Sequence, residues 1–351
     1  MKRFISATLI LLFLCSLSVA AYGEHWIDTV EEPSDYAFSF AVIGDTQIIN
    51  DLYPDDYHKI YDYVLENKES KNIQIVLGLG DIVNNGVAAE WTRAYDQFTR
   101  LYEADIPHIP IRGNHDNATT YNAFLTELLE DDIAGSYSEW NIRNTYQLHR
   151  IGGIDYLFLA LDYGPSDAVL EWANGVCEQY PDHNVIVLTH NYLNRNGEPA
   201  EMSKTEIEYK AKNSGRDIWE KLVSRQPNIM MVLSGHISDN GIVHNAHIGE
   251  HGNRVVEMLI DPQGIDAAHA PTGAVAMFYF SKDGRQLTVQ YYSTIQQKFY
   301  GEPFTVTLDP VCVPRSTALF WISGAILLVA IGVTLFFLLR RKPIGNRDRA
   351  V

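Results

Sequence analysis

Apolar and polar positions change their period repeatedly along the chain, and each change marks an element. The segments FSFAVIG (38–44), IQIVLGLG (73–80), HIPIR (108–112), IDYLFLALD (154–162), NVIVLTH (184–190) and NIMMVLSGH (228–236) are apolar with little alternation, as strands buried on both faces are. Between them, apolar residues recur at helical spacing near 54–69, 87–104, 166–180 and 214–225. Strand and helix in turn predict βαβ units with largely parallel strands. From 241 onward the pattern is strands alone, GIVHNAHI, RVVEMLI, AVAMFYFS and QLTVQYY, separated by Gly-rich turns. Antiparallel additions are expected there, giving an α/β fold of two packed mixed β-sheets flanked by helices. The Tyr-rich stretch between 112 and 154 reads as irregular. The polar stretch 191–213 reads as a long surface loop, a length usually tied to binding.

The two ends depart from this pattern. Lys2 and Arg3 precede an apolar run from Phe4 to Ala21 with small residues at Ser18 and Ala20, the layout of a secretory signal over 1–23. Ala318 to Leu339 carries no charge and is long enough to cross ~30 Å of hydrocarbon as one helix. Arg340, Arg341, Lys342, Arg347 and Arg349 follow it against a single acid, Asp348, so the tail 340–351 is expected in the cytosol. One domain over 36–308 and a linker over 309–317 would then lie outside the cell, held at the membrane by one C-terminal transmembrane helix. The net charge of −17 opposes nonspecific binding to nucleic acid. No protein partner is implied. After loss of the signal only Cys177 and Cys312 remain, so this is not a disulfide scaffold. Asn117-Ala118-Thr119 matches a glycosylation acceptor.

Parallel α/β sheets present ligands at the carboxyl ends of their strands. Five ends here deliver Asp45 with Gln47, Asp81 with Asn84, Asn114-His115-Asp116 after Arg112, His190, and His236. One Asp after a Gly is usually a turn, and one His at a strand end is usually structural. Five such ends in one fold are not explained that way. Two divalent ions ~3.5–4 Å apart need a shared carboxylate, further oxygen and imidazole ligands on each side, and an imidazole to protonate the departing oxygen. Such a pair activates a bridging water and clamps a phosphoryl group, which is chemistry for phosphoester hydrolysis.

The run GDTQ, GDIVNNG, GNHD, TH and SGH over 44–236 resembles the calcineurin-like metallophosphoesterase superfamily, whose pattern is D-x-H, G-D-x-x, G-N-H-D/E, H and G-H-x-H. It is most similar to a bacterial extracellular subgroup with D-T-Q in the first motif. The resemblance implies an α/β/β/α sandwich in which Asp81 bridges both metals. Asn114, His190 and His236 would complete one site and Asp45 would belong to the other. His115 would donate the proton and Asp116 would orient it. Gln47 and Ser238 stand where the family carries histidines, and both losses fall on the same metal. The resemblance thus implies Mn, Fe or Zn at the His-containing site and Mg, Mn or Ca at the oxygen-rich one. Alternation along IVHNAHIGEHGN puts His244 and His247 on opposite faces, so at most one of them turns inward; with His251 they are expected on a solvent-facing hairpin. Asn191 and Tyr192, after His190, are candidates to line the substrate pocket. A second reading is a non-catalytic surface receptor that keeps one structural metal; the lost histidines favour it, whereas His115, which no structural site needs, favours the hydrolase.

Overall fold

In the segment FSFAVI every residue is buried, and alternate side chains serve different cores: Phe38, Phe40 and Val42 face one, Ala41 and Ile43 the other. That two-sided burial places this strand, β2 (Phe38–Ile43), at the centre of a layered molecule. The computed structural model describes residues 26–238, 241–264 and 273–314. Sheet A runs in the order β1 (Trp26–Ile27), β14 (Lys298–Tyr300), β13 (Gln286–Ser293), β12 (Ala274–Phe280), β2, β3 (Ile73–Gly78), β4 (His108–Ile109), with β15 (Phe304–Thr307) also on β13. Sheet B runs β10 (Ile242–Ile248), β11 (Arg254–Ile260), β9 (Ile229–Ser234), β8 (Asn184–Thr189), β7 (Ile154–Leu161), β6 (Asn141–Ile151), β5 (Gly135–Ser138).

Both sheets are mixed. In sheet A, β2, β3 and β4 are parallel and β12 to β15 are antiparallel additions. In sheet B, β7, β8, β9 and β11 are parallel; β10, β6 and β5 are not. The inner faces meet in one core, where Phe40 lies 4.5 Å from Phe280 and edge-on to Phe158. Each such aromatic pair adds about 0.5–1.5 kcal/mol beyond the area it buries.

Helices cover the outer faces. α1 (Gln47–Leu52), α2 (Pro54–Asn67), α3 (Ala88–Glu103) and α4 (Ala118–Leu129) pack outside sheet A; α5 (Asp167–Gln179) and α7 (Gly215–Lys221) pack outside sheet B, and α6 (Lys204–Glu208) lies in the connection between β8 and α7. α2 starts on Pro54, whose missing N–H costs nothing in a first turn, with Asp55 and Asp56 against the positive end of the helix.

Several expectations need correction. The stretch between 112 and 154 is ordered: α4 is capped by the Asn117 side chain on the Thr119 N–H, and β6 is the longest strand described. Asn117 therefore acts as a helix cap here. The stretch 191–213 is no open loop, because α6 is held by a capping box of Ser203 and Glu206. HIPIR yields only two strand residues, since Pro110 has no N–H for the ladder. Cys177 and Cys312 are both free. Residues 1–23 and 318–339 lie outside the described residues, among which no helix is long and apolar enough to cross a membrane.

Candidate metal centre

The carboxyl ends of the parallel strands of both sheets converge at one seam. β2 leads into Asp45 and Gln47, β3 into Asp81, and the segment after β4 into Asn114 and His115, while β8 and β9 of the facing sheet lead into His190 and His236. One ligand atom from each of Asp81, His190 and His236 lies within 4.8 Å of the others, close enough to hold a metal ion. Two glycines make the approach possible. A Cβ on Gly113 would stand 2.0 Å from Asp81 Oδ1, and one on Gly235 would stand 2.1 Å from Asp45 Oδ1. The Gly of GNHD and the Gly of SGH are thus spaces occupied by carboxylates.

The donor set fits a divalent cation. His190 Nδ1 donates to the Leu79 carbonyl at 2.7 Å, which leaves Nε2 to present a lone pair. That Nε2 lies 3.2 Å from Asp81 Oδ2, 3.1 Å from Asn114 Oδ1 and 3.9 Å from Asp45 Oδ2, so three oxygens and an imidazole nitrogen face a common point. Gln47 donates from Nε2 to Asp81 Oδ2 at 3.1 Å, while its Oε1 is buried with no partner. A buried acceptor without a donor is costly, and a cation would satisfy it.

The electrostatics agree. Burial alone would depress the His190 imidazole, but Asp81 and Asp45 outweigh it and push it up to about 10, so the carboxylate field around this nitrogen strongly favours positive charge. Burial raises the Asp81 carboxyl, yet His190 and the His115 backbone N–H, 2.9 Å from Oδ1, hold it below its ordinary value. Asp45 is pushed well up, first by burial and next by the charge of Asp261. His236 falls to about 4 through burial and the His190 charge. Its backbone is left-handed, at φ 74°, a conformation that costs about 1–3 kcal/mol and directs its N–H onto both Asp45 oxygens at 3.2 and 3.1 Å.

Other expected residues take different places. Asp116 does not orient His115: its buried carboxylate accepts from the N–H groups of Ile82, Val83 and Gly113, and burial with the Asp81 charge raises it to about 6. It pins the β3 loop to the GNHD loop. His115 is held instead by the Asn84 carbonyl, 3.0 Å from Nδ1, leaving Nε2 to exchange a proton. The Asn84 side chain is tied to Asp51. Arg112 braces the GNHD loop through the carbonyls of Gly113 and Asp116 and pairs with Asp162. Asn191 donates to Glu206 on α6, and Tyr192 is fully buried, donating to Glu257 at 2.5 Å, so both side chains are engaged inside the protein. Ser238 accepts from Arg195 through its carbonyl. His244 stacks on Phe304, His247 pairs with Glu257 and Glu198, and His251 reaches the Arg225 carbonyl; none replaces a missing imidazole, and His247 is no free solvent-facing side chain.

Two residues at the seam were not anticipated. Asp261, after β11, accepts from the Gln263 N–H through Oδ1, while its Oδ2 is buried without a partner; Gln263 in turn donates to Asp45. Tyr163, after β7, lies with its ring 6.0 Å from that of His190 and 5.6 Å from that of His236, and its hydroxyl is buried without a partner. Asp261 ends the run LID and Tyr163 directly follows the run LALD, the same strand-then-Asp signal as at Asp45 and Asp81.

Residues 38–239 match the calcineurin-like phosphoesterase family. The chain belongs to that family. It is 27% identical over 281 residues to the uncharacterized protein YvnB of Bacillus subtilis (strain 168), covering 74% of this chain and 20% of YvnB. It is 20% identical over 223 residues to a probable cyclic nucleotide phosphodiesterase of Moraxella catarrhalis, covering 61% of this chain and 75% of that protein. A probable glycerophosphodiester phosphodiesterase GpdQ of Arcobacter nitrofigilis is 24% identical over 191 residues, covering 52% of this chain and 63% of the relative. As a calcineurin-like phosphoesterase, the chain has Asp45, Asp81, Asn114, His115, His190 and His236 at the family's motif positions, with Gln47 and Ser238 as departures.

Proposed function

We propose that the chain is a metal-dependent phosphoester hydrolase whose centre lies at the seam between the two sheets. The observation that carries this is the convergence of Asp81 Oδ2, Asn114 Oδ1 and the Nε2 of His190 on one point, with His236 completing the set. Asp81, Asn114, His190 and His236 would hold one cation, and Asp45, Asp81, Gln47 through Oε1 and Asp261 through Oδ2 a second; the second set is oxygen only, which suits Mn²⁺ or Mg²⁺. Held there, divalent ions would supply water activation and neutralise phosphoryl oxygens. His115, oriented by Asn84, protonates the departing alkoxide from Nε2. A proton-exchanging imidazole beside the ligands, itself outside the ligand set, supports hydrolysis over a receptor with a structural metal.

We further propose that the domain acts outside the cell, anchored by 318–339; the apolar run and its basic flank support this, and protease treatment of intact cells should release the domain. For the activity, the purified chain is assayed on p-nitrophenyl phosphate and bis(p-nitrophenyl) phosphate with and without Mn²⁺. Turnover that needs the metal and disappears on chelation is expected. Metal-independent turnover, or none on either ester, contradicts the reading.

A further inference from the structure

Beside the metal centre the protein has a cavity of about 500 Å³ whose charge runs against that of the chain. Its walls carry Arg112, Arg143, Lys210 and Lys212 against one carboxylate, Asp162, in a chain whose net charge is −17. Asp162 is shared: Arg112 Nε lies 2.5 Å from Oδ1 and Arg143 lies 3.3 Å from Oδ2. Lys210 and Lys212 are exposed, and among the described residues no carboxylate is paired with either. Four cations around one cavity, two without counter-ions, make a site for an anion.

The cavity adjoins the metal centre across two tyrosines. Tyr163 belongs to both: it lines the cavity and packs its ring beside those of His190 and His236. Tyr209 lines it too, 6.4 Å from the His115 ring and 6.5 Å from that of Tyr163. The unpartnered Tyr163 hydroxyl is thus a buried polar group at the junction. The lysine wall is also built. Gly164, at φ 54°, lets the 209–212 segment approach so closely that a Cβ there would stand 2.4 Å from that of Ala211, and the Lys212 N–H donates to the Gly164 carbonyl at 3.0 Å. Lys210 holds a left-handed backbone, φ 65°, which turns the segment across the cavity. On α6, Glu206 has its carboxylate engaged by Asn191 and the Ser203 N–H, and Glu208 forms no ion pair with either lysine among the described residues.

We propose that this cavity binds a second phosphate group of the substrate, borne by the part of the molecule beyond the phosphoryl group at the metal centre. The inference rests on the hydrolase reading for the first phosphate alone. It makes the preferred substrate a molecule with two or more phosphates, either a nucleoside polyphosphate or a chain of phosphodiesters, and it assigns the choice to Arg143, Lys210 and Lys212. A simple ester with one phosphate leaves these cations unanswered.

The test is calorimetric binding of phenyl phosphate, ADP and a glycerol phosphate dimer to the Mn²⁺-loaded His115→Ala chain, with and without Lys210→Gln and Lys212→Gln. The two exposed substitutions leave the buried core intact. Ligands with two phosphates should bind at least about tenfold more tightly than phenyl phosphate, the scale of one charge-assisted contact, and the double substitution should abolish most of that difference. A preference for ADP over the dimer identifies the nucleotide source, and the reverse identifies the polymer. Equal binding of all three, or a difference that survives the double substitution, overturns the proposal. A chain that hydrolyses no ester but keeps a lysine-dependent preference retains the cavity and loses the hydrolase. One that hydrolyses esters of one and two phosphates with equal kcat/KM, lysines or not, retains the hydrolase and loses the cavity.

Discussion

The two sheets meet at the same seam but bring different chemistry to it. Sheet A brings oxygen donors, Asp45, Gln47, Asp81 and Asn114, from the ends of three adjacent parallel strands. Sheet B brings the imidazoles, His190 and His236, together with the Asp261 carboxylate. Neither edge is a metal site alone, because oxygen without nitrogen is a weak trap for a transition ion and two histidines leave most of its shell open. The buried core must first dock the sheets; only then does the Nε2 of His190 reach Asp81. Metal binding is therefore coupled to the packing of the two sheets, and the ion should stabilise the fold as well as serve the chemistry.

The division can be broken at several points. His115 comes from sheet A yet is not a ligand, so His115→Ala should cost ~10²–10⁴-fold in kcat, most for poor leaving groups, while metal content stays constant. Loss of metal in that variant would move His115 into the ligand set. Asp261→Asn tests the carboxylate of sheet B. It should weaken only the more exchangeable metal equivalent, by at least the roughly 10–100-fold that even an outer partner costs, with little change in the tighter one; unchanged affinities would remove Asp261 from the centre. The smallest effect concerns His108, the histidine that sheet A buries away from the seam, its ring 4.3 Å from Phe98. Burial lowers it to about 3, so the unfolded chain takes up a proton near its ordinary value while the folded chain does not. Its contribution is complete above that ordinary value and stability is lost as pH falls toward the folded one, by up to about 1.4 kcal/mol for each pH unit. His108→Phe should flatten the fall in denaturant midpoint between pH 7 and 5. An equal slope in both proteins would show that other groups control it.

Much of this was legible in the residues, and the misses share a cause. Buried parallel strands leave long apolar runs, and each such run ends where its sheet ends, so β2, β3, β8 and β9 could be placed together with the ligands that follow them. Periodicity says nothing of partners across space. The resemblance makes Asp116 the orienting group for His115, but the loop turns its carboxylate onto three backbone N–H groups and leaves the imidazole to Asn84. Tyr192 stands two residues after His190, yet the β8 connection drives it into the core, where Glu257 accepts its hydroxyl's hydrogen bond. Asp261 and Tyr163 were missed although LID and LALD repeat the strand-then-Asp pattern, because neither is preceded by the glycine that drew attention to Asp45 and Asp81.

The claim that a divalent cation bridges the two sheets through Asp81 is tested most directly by titrating Mn²⁺ into the chelator-treated chain and into its Asp81→Asn variant, following bound metal and unfolding temperature together. The account predicts saturable binding in the native chain, with one tight and one weaker equivalent and a rise in unfolding temperature, and loss of the tight equivalent and of that rise in the variant. Identical titrations of the two proteins, or an unfolding temperature indifferent to the metal, would contradict it.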